Sequence, residues 1–215
     1  MPYVALLIVV LIAGAALLLY RRRAAITEAL AKPLVVPALI MGLGLLLRLS
    51  QIAATRLHGD EALYCSWGLL IATGKDLLLR TVNIDKPPLL PYTLALSFAV
   101  FGPNEVAARL PNLLASVAAI GSLYGLAARL YDRRVAALSA LALALSPFDI
   151  QFGPTAFTDP LMVSLGLAAC LFALSGRWLG AGLALALSVA AKPTGAVFLP
   201  PMLFLATVHL RRQGE

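Results

Sequence analysis

Long apolar runs separated by short polar connections dominate the chain. Seven of these runs reach 14 or more residues: 3–20, 33–52, 110–130, 135–150, 160–176, 178–191 and 194–210. A helix needs about 20 predominantly apolar residues to cross a bilayer. The runs are continuously apolar and do not alternate as the strands of a membrane barrel do. The pattern therefore predicts an all-α, polytopic membrane bundle with about seven spanning helices.

One further apolar run, 88–101, is interrupted by Pro88 and Pro91 and follows Pro87. Its length and its prolines suit an interfacial or re-entrant helix better than a spanning one. We predict that it lies within a large outer loop, 53–109, between two spanning helices.

Basic residues give the predicted orientation, because the cytoplasmic loops of membrane proteins collect Lys and Arg. If 88–101 does not cross, ten of the 17 basic residues fall on one side: Arg21, Arg22, Arg23, Lys32, Arg129, Arg133, Arg134, Arg177, Arg211 and Arg212. The N-terminus is then outside the cell membrane and the C-terminus inside. Residues 1–32 form an anchor helix with a cytoplasmic linker, and 33–215 form the main membrane domain.

Composition agrees with a membrane location. Apolar residues make up 61% of the chain and charged residues 13%, against about 45–50% and 25% in soluble domains. Such hydrophobicity excludes an ordinary soluble domain and a disordered chain. The net charge of +7 is explained by the cytoplasmic loops, so no nucleic-acid partner is expected.

Acidic residues gather on the opposite side in this topology. Seven of the ten acids lie there: Asp60, Glu61, Asp76, Asp85, Glu105, Asp149 and Asp159. Ionisable residues beside long apolar segments are costly and often mark a functional site. The outer face is therefore where we look for chemistry.

The first candidate cluster is formed by His58, Asp60, Glu61 and Tyr64. Asp60 can act as a general base on a hydroxyl, and Glu61 can hold a metal or a second donor. His58 is a candidate metal ligand. The alternative is that these residues only cap a helix and supply its first-turn acids.

The second cluster is Asp85-Lys86-Pro87-Pro88. An ammonium at the start of a proline-initiated helix suits a lipid phosphate. Asp85 can bind a metal or steady the lysine. The alternative for Lys86 is an interfacial lysine that snorkels to the membrane surface.

Two further segments carry isolated charges. Asp159 precedes Pro160 and is either a helix cap or a site residue, and Lys192 is either a snorkelling helix end or a second phosphate contact. Arg109 lies four residues after Glu105, which predicts an ion pair within one helix.

These motifs occur in a recognisable order: Asp60-Glu61-x-x-Tyr64, Asp85-Lys86-Pro87-Pro88-Leu89, Phe101-Gly102-x-x-Glu105-x-x-x-Arg109-Leu110-Pro111, Thr158-Asp159-Pro160 and Lys192. The order resembles that of the protein O-mannosyltransferase and aminoarabinose transferase group of GT-C membrane glycosyltransferases, over about residues 34–205. The resemblance implies a GT-C-like fold with an interfacial helix in the first outer loop.

The resemblance also implies a function: transfer of a sugar from a polyprenyl-phosphate donor to a lipid or protein acceptor at the outer face. Asp60 matches the candidate base, Lys86 contacts the lipid phosphate, and Asp159 helps to organise the donor. Asp85 matches an acid at a divalent-metal site. Arg80, Lys192 and Tyr64 are further candidates for donor binding, with Arg109 and Glu105 in support. No nucleotide cofactor is expected, since the sequence contains no P-loop or G-x-G-x-x-G motif.

Alternative functions remain open at this level. Family members have more spanning helices than this chain, so a truncated fragment, or a non-catalytic binding or assembly subunit that needs a second subunit, is an alternative to an active enzyme. A transporter is less consistent with the sequence, because the acids cluster at one face and no internal repeat is present.

Overall fold

The computed structural model describes residue 32, residues 34–52 and residues 56–214. Within these ranges the chain forms only helices and loops. The α-helices are α1 Val35–Ile52, α2 Gly59–Ala72, α3 Leu89–Phe101, α4 Glu105–Leu130, α5 Arg133–Ala144, α6 Pro147–Phe152, α7 Thr158–Leu174, α8 Trp178–Ala191 and α9 Leu199–Gly214, with a 3₁₀ helix at Pro193–Phe198. The predicted anchor helix at 3–20 and most of its linker lie outside the described residues.

The chain divides into two compact units, Met1–Leu39 and Ile40–Glu215. In the first unit, the described residues form the opening turn of α1. All packing below concerns the second unit.

Three described segments are long and apolar enough to cross a membrane: Val35–Ile52, Glu105–Leu130 and Pro193–Gly214. Shorter apolar helices are Leu89–Phe101, Thr158–Leu174 and Trp178–Ala191. The predicted all-helical membrane protein is therefore confirmed. The count of about seven spanning helices and the interfacial position of α3 stay predictions.

The predicted run 135–150 is not one helix. It is divided into α5, which ends at Ala144, and the short α6, which begins at Pro147. Proline cannot continue a preceding helix and restricts the residue before it, and Ser146 caps the new helix by accepting a hydrogen bond from the Asp149 N–H at 3.4 Å. The 12 residues of α5 rise about 18 Å, less than the ~30 Å of a hydrocarbon core.

Small residues allow the helices to approach closely. Ala169 and Ala173 of α7 and Ala181 and Ala184 of α8 are all buried, in the manner typical of membrane helix pairs. A Cβ added at Gly166 would lie 2.2 Å from the Phe198 ring. The 3₁₀ helix can therefore pack on α7 only because residue 166 has no side chain.

Several arginines gather at one end of the bundle. At one end, Arg212 Nη1 donates to the Arg129 carbonyl at 2.8 Å, and the His209 ring lies 5.5 Å from that of Trp178. Because α4 and α7 end here and α8 begins here, most of the arginines predicted to be cytoplasmic share this end, which we call the basic end. The acidic residues discussed next lie at the opposite ends of these helices.

Candidate functional site

A buried carboxylate lies at the start of α2. Glu61 Oε2 accepts from Arg109 Nη2 at 3.1 Å and from the His58 N–H at 2.8 Å. Glu61 Oε1 accepts from Arg109 Nε at 3.2 Å and from the Ala156 N–H at 2.9 Å. Both Glu61 oxygens are thus engaged by donors from three separate segments, and the Glu61 and Arg109 side chains are only 3% and 2% exposed.

Arg109 extends this contact to the end of α1. Its Nη1 donates to the Ile52 carbonyl at 3.0 Å, and its Nη2 donates to the Arg56 carbonyl at 3.2 Å. The i, i+4 spacing suggested Glu105 as a partner of Arg109, but the buried carboxylate that Arg109 contacts is that of Glu61, and Glu105 is exposed in the first turn of α4. Helix α2 thus supplies a buried partner from which water is excluded.

The ionisation of Glu61 follows from these contacts. Burial alone would raise the pKa of Glu61, but the hydrogen bonds from Arg109 and from the backbone N–H groups of His58 and Ala156 outweigh it and hold the pKa below its usual value. Glu61 is therefore a charged residue that joins α2, α4 and the loop before α7.

Asp60 differs from its neighbour in exposure. It occupies the second position of α2 and is exposed, whereas Glu61 is buried. His58 caps the helix, with its Nδ1 accepting from the Asp60 N–H at 3.3 Å. Of the two adjacent acids predicted to be catalytic, Asp60 is thus the one that an external molecule can reach.

Tyr64, one turn further along α2, is within the electrostatic range of four charged side chains. Burial raises the pKa of Tyr64, the charges of Lys86 and Lys192 act against that rise, and those of Asp60 and Asp85 add to it. These residues come from three separate parts of the chain. The charges of Lys86 and Lys192, two predicted donor-binding residues, thus act on Tyr64, as does the charge of Asp60.

Each lysine of this group contacts a carboxylate. Lys86 Nζ pairs with the neighbouring Asp85, and that hydrogen bond raises the pKa of Lys86 above its ordinary value. Lys192 Nζ lies 2.7 Å from Asp159 Oδ1, which joins the end of α8 to the start of α7. Each lysine side chain is 31% exposed, so both remain accessible.

Phe157 packs beside Tyr64 and His58; the sequence placed it in the segment that contains Asp159 but gave it no role. Its ring centroid lies 6.5 Å from that of Tyr64, edge to face, and 5.8 Å from that of His58. Asn112, buried in α4, fixes the loop by donating to the Phe157 carbonyl at 2.6 Å. Sequence reasoning missed Asn112, for which a polar amide within an apolar run was the available signal.

Arg80 belongs to a turn built around Asp76. The Asp76 carboxylate accepts from the Thr81 hydroxyl and N–H, both at 2.6 Å, and from the Arg80 N–H at 3.0 Å. The Thr81 side-chain bond, followed by the two backbone bonds, lowers the pKa of Asp76 to about 2. The Tyr92 hydroxyl ties this loop to α3 by donating to the Leu77 carbonyl at 2.6 Å.

The contacts of Asp85 and His58 do not form a set of ligands for a divalent metal. Asp85 is paired with Lys86, and His58 Nδ1 caps α2. In the described part of the chain, no group of three or more His, Cys, Asp or Glu side chains is placed to hold a metal ion. The steps proposed below depend on no metal.

Two cavities flank the loop that carries Phe157. One of about 200 Å³ lies between α4, α6 and the start of α7, and Asp149, Phe157 and Asp159 line it. Another of about 350 Å³ is lined by polar groups that include Arg56, Glu61 and Arg109. The first therefore adjoins the Asp159–Lys192 pair.

The described part of the chain is helical and apolar, and three of its segments are long enough to cross a bilayer, which makes the chain an integral membrane protein. A family model described as dolichyl-phosphate-mannose-protein mannosyltransferase matches residues 85–213, more than half of the chain. The chain therefore belongs to this family of GT-C glycosyltransferases, as its motifs predicted. The match includes Lys86, Asp159 and Lys192, while Asp60 and Tyr64 precede it. Neither a curated protein nor a solved structure matches the chain.

Proposed function

We propose that the chain transfers a sugar from a polyprenyl-phosphate donor to a hydroxyl of a lipid or protein acceptor, at the non-cytoplasmic face of the cell membrane. The observation that carries the proposal is that Tyr64 packs on Phe157, two residues before Asp159, whose carboxylate contacts Lys192. The charges of Asp60 and Lys86 also act on Tyr64. These residues lie away from the basic end, in a chain of the mannosyltransferase family.

The two lysines provide the donor phosphate site. Their partners Asp85 and Asp159 are 65% and 55% exposed, so neither ion pair is sealed from a ligand. A phosphate that enters between Lys86 and Lys192 gains charge-assisted hydrogen bonds that are shorter and stronger than neutral ones. Arg80, exposed on the loop before Lys86, is a third cation available to the phosphate.

Tyr64 supplies an uncharged hydrogen-bond donor beside these cations. Tyr64 is 7% exposed, and a phenol, with an ordinary pKa of about 10, is protonated at physiological pH. A protonated hydroxyl donates a hydrogen bond to a phosphate oxygen, whereas a phenolate would repel it. We therefore assign Tyr64 to the binding of the polyprenyl-phosphate sugar and not to the binding of the acceptor.

In the reaction, the acceptor hydroxyl oxygen attacks the anomeric carbon of the sugar. The bond between that carbon and the phosphate oxygen breaks, and the electron pair leaves with the polyprenyl phosphate. The hydroxyl proton passes to the Asp60 carboxylate, while Lys86 and Lys192 stabilise the negative charge that develops on the phosphate. Glu61 and Arg109 hold the start of α2, and with it Asp60, in place.

The test is transfer of radiolabelled sugar from polyprenyl-phosphate donors in membranes that contain the chain. Asp60→Asn keeps the side-chain shape and should lower transfer about 10²–10⁴-fold, the usual contribution of a general base. Glu105→Gln is the matched control, because Glu105 is another exposed acid in a first helical turn, and transfer should stay close to the wild-type level.

Two outcomes would contradict the proposal. Unchanged transfer by Asp60→Asn would remove the base assignment. Donor binding without any transfer by the wild-type chain would instead favour the binding or assembly subunit, which acts together with a second subunit.

A further inference from the structure

Arg48 is a fully buried charge in the apolar helix α1, with a side-chain exposure of 0%. Its Nη1 donates to the carbonyls of Gly44 at 2.9 Å and Ala144 at 3.2 Å, and its Nη2 donates to that of Leu143 at 3.2 Å. Nη2 also pairs with the Asp149 carboxylate. An ionisable residue inside a membrane helix is costly and usually has a function.

These contacts fix Asp149 beside a cavity. Arg48 satisfies the last carbonyls of α5 and engages Asp149 Oδ2, so it holds α6 against the end of α5. The Asp149 side chain is nevertheless 29% exposed, and it lines the cavity of about 200 Å³. The arginine therefore holds a carboxylate in a fixed orientation at the wall of a space that a ligand can enter.

The walls of this cavity combine aromatic rings with hydrogen-bond acceptors. The rings of Phe148 and Phe152 lie 4.7 Å apart on α6, and Phe157 faces the cavity from the loop before α7. Asp149 and Asp159 contribute carboxylates. A sugar ring matches such walls, because its hydroxyl groups donate to carboxylates and its C–H faces pack on aromatic rings.

Size and position favour a single sugar ring. The volume of about 200 Å³ is below the ~300–1,000 Å³ of pockets for drug-sized ligands. Asp159 lines the cavity and also contacts Lys192, so the cavity adjoins the proposed phosphate site. The sugar of the donor is one bond away from its phosphate. The prenyl chain is also bonded to that phosphate, but as a hydrocarbon it cannot donate hydrogen bonds to two carboxylates.

We propose that this cavity binds the transferred sugar of the donor, and that Asp149, held by Arg48, accepts hydrogen bonds from its hydroxyl groups. The inference rests on the proposed function and adds to it the place where the sugar is recognised. Asp149 then contributes to the choice among donor sugars, whereas Lys86 and Lys192 serve the phosphate that all such donors share.

The experiment compares the binding of two lipids to purified full-length chain: polyprenyl-phosphate mannose and polyprenyl phosphate without a sugar. Asp149→Asn should weaken binding of the sugar-bearing lipid by about 10- to 100-fold, as expected for loss of a hydrogen bond to a charged group, and leave the bare lipid phosphate unaffected. Lys86→Ala should weaken binding of both lipids.

Phe148→Ala protects the test from a folding defect, because this ring is 71% exposed and its removal leaves the Arg48–Asp149 pair intact. We expect the same selective loss, of smaller size. The inference is overturned if Phe148→Ala leaves both affinities at the wild-type level, or if it lowers them equally. Wild-type protein that binds the sugar-bearing lipid, with no selective effect of these variants, would refute only this inference. Wild-type protein that binds neither lipid would count against the proposed function itself.

Discussion

Glu61 and Arg109 are separated by 48 residues in the sequence and form a buried ion pair. The pair joins α2 to α4, and through the Ala156 N–H it also holds the loop before α7. The residue immediately before Glu61 is the exposed Asp60. A buried pair therefore fixes the backbone from which the proposed base projects.

We expect Arg109→Met to destabilise the chain strongly. The substitution would leave the Glu61 carboxylate buried without its cation, and breaking a buried pair on one side costs about 3–5 kcal/mol. Thermal unfolding in detergent measures the effect, with Glu105→Gln on the same helix as the control. The double variant Arg109→Met with Glu61→Met should recover part of the loss, because it leaves no unpaired charge. Equal stability of Arg109→Met and the control would contradict this role.

Sequence reasoning found this pair only in part. It selected Glu61 and Arg109 as site residues, but spacing along one helix suggested Glu105 as the partner. Tertiary pairing across 48 residues depends on how α2 packs on the rest of the bundle, and local spacing carries no information on that. Arg48 and Asn112, polar groups within apolar runs, were visible signals that were left unused.

Helix boundaries could be read from the local sequence, whereas contacts between distant residues could not. The start of α8 at Trp178 and its end at Ala191 agree with the apolar run 178–191. The break between α5 and α6 was readable from Ser146-Pro147, which supplies a cap and a proline at consecutive positions. The action of the charges of both Lys86 and Lys192 on Tyr64 was not readable from hydropathy. It was expected only because the order of motifs resembled a known family.

Lys86→Ala should weaken binding of polyprenyl phosphate more than Lys75→Ala does. Lys86 interacts electrostatically with Tyr64 and is hydrogen-bonded to Asp85, whereas Lys75 is exposed in the turn after α2. A hydrogen bond to a charged group contributes about 1.5–3 kcal/mol to binding. Lys75→Ala is the matched control, because it also removes one ammonium group. Equal donor affinity for wild type and Lys86→Ala would refute the phosphate role.

The Asp76 turn should respond to acid only at low pH. Its hydrogen bonds from Thr81 and Arg80 lower the pKa from 3.8 to about 2. The stabilisation is therefore fully present above the ordinary pKa of 3.8 and is lost as pH falls from there through about 2. Carboxyl NMR of the chain in detergent measures the midpoint. Thr81→Val, which removes the largest cause, should move it upward. A wild-type midpoint near 3.8 would show that the turn does not form.

The predicted topology places Lys75 and Arg133 on opposite sides of the membrane. Lys75 follows α2 in the loop 53–109, and Arg133 begins α5 beside the other arginines of the basic end. Single-cysteine variants at the two positions, in a chain that lacks Cys65 and Cys170, can be labelled in intact cells with an impermeant thiol reagent. Only the cysteine at position 75 should react. Labelling of both positions would overturn the orientation.

Asp60→Asn and Glu61→Gln should separate chemistry from support. Asp60 is exposed and accepts a proton in the proposed reaction, so Asp60→Asn should reduce turnover about 10²–10⁴-fold while donor affinity and unfolding temperature stay near wild type. Glu61 already receives hydrogen bonds from Arg109, His58 and Ala156, and a glutamine amide would place its NH₂ against one set of these donors. Glu61→Gln should therefore lower the unfolding temperature and retain more turnover per folded molecule than Asp60→Asn. The measurement is turnover and unfolding temperature of both variants, each determined on the same preparation. If the folded Glu61→Gln protein loses as much turnover as Asp60→Asn, the purely structural role of Glu61 is wrong and Glu61 also takes part in the reaction.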